Sequence, residues 1–239
     1  MPTPKSTQTE PIAYSLSMTE RQEIFVLGYP RSGNSWLCRL LGDVLNCPIE
    51  SGQERPSNAD EGQDRPGPFV IRLRHPDGLF DPPSDHRNVD QFVGSVVAQI
   101  VRDPRDVMLS LKEYYQSNWT DALIRMKNWP SAIEACSGIG VQVRYEDLHE
   151  RTSAELGRLL TTLDLPFEPR LLKATVWRQS WKARVQNITE DMPYNPDHQK
   201  LALGHGQVGR WREEIPKDVL VEGLEIFGRS MRDLGYVNA

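Results

Sequence analysis

Gly28 and Gly33, with Arg31 between them and Ser35 after them, open the stretch GYPRSGNSW, residues 28 to 36. The spacing nearly reproduces the loop that wraps the phosphates of a nucleoside triphosphate, G-x-x-x-x-G-K-[ST]. Asn34 stands where that loop has its lysine, the side chain that reaches the β- and γ-phosphates, so a terminal triphosphate is disfavoured. The remaining parts still suit an anion. Glycines let backbone N–H groups come close, and a following helix N-terminus adds partial positive charge. Arg31 adds a planar, charged fork; Ser32, Asn34 and Ser35 add neutral donors. A plain glycine-containing turn from strand to helix would share this pattern, so a second site matters. IVRDPRDVMLSLKEYY, residues 100 to 115, puts Arg102 at the end of an apolar run and Ser110 about a turn into the next helix. Taken alone, Arg102 also reads as a surface ion pair with Asp103 or Asp106. Ligands of open parallel sheets bind at the carboxyl ends of strands. Two adjacent strand ends, each with an arginine and a serine, predict pockets for two separate phosphate groups.

The elements that must position these residues follow from periodicity. EIFVLGY (23–29), FVIRLRH (69–75), VVAQIVR (96–102) and the start of IGVQVRYEDL (139–148) read as buried strands. SWLCRLLGDVLN (35–46) has its apolar residues at helical spacing. Further helices are expected after Asp103-Pro104, over about 118–137, over 152–163, over about 168–179, and over about 216–233. Residues 51–68, 77–88 and 182–210 read as loops. Strands alternating with helices predict an α/β, P-loop-like single domain, with a central parallel β-sheet flanked by helices on both faces. It spans residues 21–239, behind a polar tail at 1–20.

The chain has 239 residues and a net charge of −5, so bulk charge recruits neither nucleic acid nor acidic membranes. The longest apolar stretch, 93–101, is far short of a membrane span. The N-terminal residues lack the apolar core of a signal peptide. Cys38, Cys47 and Cys136 are odd in number and without metal-ligand spacing, which predicts buried thiols in a reducing cytoplasm.

YPRSGNSW, the Arg102/Ser110 pair and RYEDL together resemble the sulfotransferases that use 3′-phosphoadenosine 5′-phosphosulfate (PAPS), of the soluble cytosolic or bacterial kind. The usual first family motif is Y-P-K-S-G-T-T-W. The resemblance implies that Arg31, Ser32, Gly33, Asn34 and Ser35 bind the 5′-phosphosulfate and that Trp36 stacks near adenine. It implies that Arg102 and Ser110 clamp the 3′-phosphate and that Tyr145 of RYEDL contacts adenine. ATVW matches a T-S-F-like adenine contact at Thr175 and Trp177. The late motif R-K-G-x-x-G-D-W appears as GHGQVGRW, residues 204 to 211, keeping Gly206, Gly209 and Trp211. Its Arg-Lys pair is Gly204-His205 here, leaving His205 and the backbone of Gly206 as substitutes.

The implied reaction is in-line transfer of a sulfonyl group from PAPS to a hydroxyl, or an amine, of a small-molecule acceptor, releasing 3′,5′-ADP without a metal. Arg31 would stabilise charge on the leaving oxygen; its ordinary pKa above about 12 makes it a poor proton donor. His75 matches the histidine base of the family segment K-T-H-L-P, with Leu73 in place of the lysine. An imidazole suits that work. Asp77, His86 and Glu54 are fallback bases, and His149 and His198 have no motif behind them. Loops 51–68, 77–92 and 185–203 are expected to line the acceptor pocket, with Phe80, Met192 and Tyr194 as apolar walls. A monomer or homodimer with no nucleic-acid or membrane partner is expected. Two rival readings remain at this level: a nucleotide or small-molecule kinase of P-loop type, and a non-catalytic nucleotide-binding protein.

Overall fold

The computed structural model describes residues 21–51, 65–75, 92–186 and 206–237. The expected tail at 1–20 lies outside them, as do His205, Glu54, Asp77, Phe80, His86, Met192, Tyr194 and His198.

Five strands form one sheet: β1 (Gln22–Leu27), β2 (Ile49–Ser51), β3 (Phe69–Arg74), β4 (Val96–Val101) and β5 (Val141–Arg144). Their order is β2-β3-β1-β4-β5, and every pairing is parallel. Successive strand side chains face opposite ways. Ile24, Val26, Ile71, Ala98, Ile100 and Val143 thus share one buried cluster, while Leu27 and Val97 join another with Phe92 and Cys136. Apolar residues on both faces explain the near-continuous hydrophobic runs in the sequence.

On the first face pack α1 (Asn34–Val44), α5 (Tyr145–Glu150), α6 (Thr152–Thr162) and α7 (Pro169–Arg178), through Leu37, Leu40, Leu41, Leu148, Leu156 and Leu172. A second cluster joins α2 (Pro104–Tyr115), α3 (Trp119–Met126), α4 (Trp129–Ala135) and the last helix α10 (Lys217–Asp233). At its centre Trp129 and Phe227 meet edge to face, 6.1 Å apart. Short helices α8 (Trp181–Gln186) and α9 (Trp211–Glu214) complete the described residues.

The expected α/β architecture is observed, with local differences. Strand β2 is not among the expected strands, and only its last residue, Ser51, falls in the stretch read as loop; three residues are too few to show alternation. The helix expected over 118–137 is two helices. Asn118 caps α3 through the N–H of Asp121, and Pro130 sits in the first turn of α4, a start signal rather than an interior one. Helix α8 falls in a stretch read as loop-rich. All three cysteines are buried outside any disulfide, and burial pushes Cys38 and Cys47 up to about 12. Among the described residues no helix is long and apolar enough to cross a membrane.

Candidate functional site

Strand β1 sits between β3 and β4, so the chain leaves it toward both sides and the tips of β1 and β4 flank the switch point. Register then decides which residues meet. Leu27 pairs with Arg74, which brings Gly28 beside His75. Val101 pairs with Arg144, which brings Arg102 beside Tyr145. Site residues from the tips of β1, β3, β4 and β5 therefore converge although they are far apart in sequence.

The loop after β1 turns tightly, with the Ser32 N–H donating to the Tyr29 carbonyl at 3.1 Å. Arg31 has φ 68 and Gly33 has φ 101, both left-handed. At Gly33 a side chain is excluded twice over: a Cβ there would lie 2.6 Å from Cδ2 of Tyr145. Helix α1 begins at Asn34 without a side-chain cap, so its first N–H groups have no partner within the helix and point into the loop.

Arg31 and Ser110, assigned to different phosphate groups, touch: Arg31 Nε donates to Ser110 Oγ at 3.0 Å. The Arg31 guanidinium also lies over the Tyr114 ring, 4.7 Å from its centroid. Arg102 Nη1 donates to the Arg31 carbonyl at 3.1 Å, and its guanidinium stacks on Tyr145 at 4.3 Å. Burial, with the charge of Arg102 nearby, pushes Arg31 down to about 10 despite the opposing influence of Tyr114. It stays cationic at neutral pH but lies below the value above about 12 expected from the residue type alone. Burial likewise raises Tyr145. Ser32 Oγ and Arg102 Nε are buried and have no hydrogen-bond partner among the described residues. Both are donors at the two strand tips, as an anion requires.

Asn34 plays a different part from the side-chain donor expected of it. Its Nδ2 donates inward, to the carbonyls of Gly28 at 3.0 Å and Tyr29 at 3.1 Å. What Asn34 offers an anion is its backbone N–H. His75 Nδ1 lies 3.0 Å from the Gly28 carbonyl and 3.2 Å from Asn34 Nδ2. The amide's two hydrogens are taken by the two carbonyls, so a tautomer with the proton on Nδ1, donating to Gly28, fits both contacts. In that tautomer Nε2 carries the lone pair. Arg72, beside Leu73 on β3, is engaged in ion pairs with Glu23 and Glu50.

Trp36 meets Tyr145 edge to face at 5.7 Å and donates its indole N–H to the Gln179 carbonyl at 3.0 Å. Gln179 Nε2 is held by the buried carboxylate of Asp43 at 2.8 Å, which also takes Arg178 at 3.0 Å and Arg65 at 2.5 Å. Thr175 is buried, with its carbonyl accepting the Gln179 N–H. Trp177, about 200° further round α7, is 77% exposed, so the helix turns Thr175 and not Trp177 toward α1.

No family model matches the sequence, and no curated protein matches it. Solved structures do match by shape. The mouse sulfotransferase SULT7A1 complexed with PAP superposes with a TM-score of 0.66 at 19% identity, over 90% of this chain and 86% of that one. The chain has the sulfotransferase fold. Retinol dehydratase in complex with androsterone and inactive cofactor PAP matches at 0.60 and 14% identity, over 88% of this chain and 81% of that one. The sulfotransferase domain from the curacin biosynthetic pathway matches at 0.56 and 18%, over 88% and 97%.

Within this sulfotransferase fold the segment 206–211 closes over the β4 and β5 tips. Arg102 Nη2 donates to the Gln207 carbonyl at 3.1 Å. Asp106 accepts from the N–H groups of Gly209 at 2.6 Å and Trp211 at 3.2 Å. Burial raises the Asp106 carboxyl, against the pull of those N–H groups and Arg102. Arg105 stacks on Trp211 at 3.6 Å. Gly206, at φ 58, packs so tightly on Trp181 that a Cβ would come within 2.3 Å of the indole. Its carbonyl accepts from His149 Nε2 at 2.7 Å, and the His149 ring lies 5.9 Å from Tyr145.

The fold brings together Arg31, Ser110, Arg102, Tyr145, Trp36 and Gly206, all singled out in the sequence. Ser35 is exposed at the start of α1. His149, set aside for want of a motif, joins them, and its four-residue spacing from Tyr145 was the available signal. Asp106, Arg105 and Tyr114 join them too, all from the segment 100–115.

Proposed function

We propose that this protein transfers a sulfonyl group from PAPS to a hydroxyl of a small-molecule acceptor. One observation carries the reading. Two strand tips rich in donors are joined through Arg31 and Arg102, with the buried donors Ser32 Oγ and Arg102 Nε lacking partners among the described residues. A nucleotide charged at both its 5′ and 3′ positions satisfies both tips; a triphosphate tail would crowd into one.

In the reaction the bond between sulfur and the bridging phosphate oxygen breaks as the acceptor oxygen bonds to sulfur. Arg31 and the first N–H groups of α1 stabilise the charge arriving on the bridging oxygen, which grows toward the transition state. His75, with its Nδ1 proton committed to Gly28, takes the acceptor's proton on Nε2. Arg102 and Ser110 hold the 3′-phosphate, while Trp36 and Tyr145 bound the adenine. Among the described residues no three His, Cys, Asp or Glu side chains are grouped to hold a metal.

The test pairs binding with turnover. Adenosine 3′,5′-bisphosphate (PAP) at a hundredfold its Kd should stabilise the protein by about 2.7 kcal/mol, and ATP with Mg²⁺ should do much less. Labelled sulfonyl transfer should then appear across a panel of phenols, alcohols and amines. A larger response to ATP would replace this reading with a kinase. Tight PAP binding with no transfer to any acceptor would make the protein a nucleotide binder only.

A further inference from the structure

The end of the chain returns to the site for a local reason. Helix α10 stops in a left-handed glycine, Gly235 at φ 72. The N–H of Gly235 bonds to the Arg232 carbonyl at 2.9 Å and that of Tyr236 to the Met231 carbonyl at 2.8 Å. This paired closure is the Schellman ending, and it folds the residue after the glycine back across the helix. Tyr236 is thereby sent to the tips of β4 and β5.

There it ties several groups together. Its hydroxyl donates to Glu146 Oε2 at 3.0 Å, its ring lies under the Arg144 guanidinium at 4.1 Å, and its carbonyl accepts from Arg105 Nη2 at 3.3 Å. The other oxygen of Glu146 accepts the Asp103 backbone N–H at 2.9 Å. Asp103 follows Arg102 directly, and Glu146 follows Tyr145 directly. A single carboxylate therefore staples the two tips, and the tyrosine hydroxyl fixes that carboxylate from outside. Asp103 is itself held by Arg105 at 2.6 Å, the same arginine that reaches the Tyr236 carbonyl.

We propose that Tyr236 is a positioning residue that sets the spacing of Arg102 and Tyr145, and so the affinity for the nucleotide, without touching it. This rests on the PAPS reading of the site. Removing the hydroxyl leaves one half-buried carboxylate oxygen without its donor, and the staple loosens where Arg102 is attached. The sulfonyl end of the site, built on β1 and β3, is left as it was.

Tyr236→Phe keeps the ring over Arg144 and removes only the hydroxyl. Its Kd for PAP should rise about tenfold, a loss near 1.4 kcal/mol. The KM for PAPS should rise in parallel, with kcat at saturating PAPS unchanged within about twofold. Hydrogen exchange at the Asp103 amide should quicken about tenfold, while exchange at Val26 in β1 stays at the parent rate. In a double-mutant cycle with Glu146→Gln the two losses in PAP affinity should be less than additive. Parent-like Kd and Asp103 exchange in Tyr236→Phe would overturn the proposal. So would equal acceleration at Asp103 and Val26, which is general loosening, or strict additivity in the cycle. If the unmutated protein fails to bind PAP, the PAPS reading falls and this role falls with it; the exchange data then still report whether the staple exists.

Discussion

Replacing Gly33 by alanine tests the geometry on which the whole site depends. The residue sits at φ 101, ψ 12, a region where an L side chain costs about 1–2 kcal/mol. The new methyl would also lie 2.6 and 2.9 Å from two ring carbons of Tyr145. Forcing a carbon into a filled site costs about 1–3 kcal/mol. The ring cannot retreat freely, because Trp36 and Arg102 pack against it. The sum is about 2–5 kcal/mol, which for a chain of this size lowers Tm by roughly 4–20 °C. Gly94 supplies the control. It has φ 83, and nothing lies within 4 Å of a Cβ built there, so Gly94→Ala carries the backbone cost alone. Scanning calorimetry of both variants, with PAP titrations by isothermal calorimetry, separates the terms. Gly33→Ala should lose clearly more stability than Gly94→Ala and weaken PAP binding at least about tenfold. Equal Tm losses with unchanged PAP affinity would refute the close approach of loop and tyrosine, and with it the construction of the 5′ site.

Other perturbations address the chemistry and the electrostatics. Arg31→Ala should reduce turnover by about 10²-fold or more in the labelled-transfer assay, as loss of a transition-state donor does; an unchanged rate would remove Arg31 from the mechanism. His75→Ala should lower turnover by about 10²-fold or more while PAP affinity, read by calorimetry, stays within about twofold; collapse of PAP binding would make His75 a structural brace for Gly28. Burial raises the Glu146 carboxyl, against hydrogen bonds from the Asp103 N–H and Tyr236. Its stabilising contribution is therefore fully present below the unfolded pKa, about 4.3, and is lost as pH rises through the raised native value. Glu146→Gln cannot titrate, so in urea unfolding its stability relative to the parent should improve between pH 4 and pH 7; a pH-independent difference would contradict the raised carboxyl.

The sequence alone determined the parts of this protein that are contiguous. Strand, glycine turn and helix follow one another within residues 22–44 and again, with Asp103-Pro104 as the break, within 96–115, so period and turn chemistry expose them. Arg31, Arg102 and the loop glycine were legible there because they stand at strand tips, and Ser110 because it follows in the next helix. The tertiary structure decided who meets whom. Parallel register carries His75 to Gly28 and Tyr145 to Arg102, and no local pattern encodes register between strands joined by long crossovers. It turned Asn34 inward as a brace for two carbonyls just past the end of β1. It brought His149 to Gly206, Asp106 to Gly209 and Tyr236 to Glu146, contacts spanning 57, 103 and 90 residues. Such contacts arise when helix packing fixes rigid elements side by side, and the polar groups left at their ends then find whichever partners the packing presents.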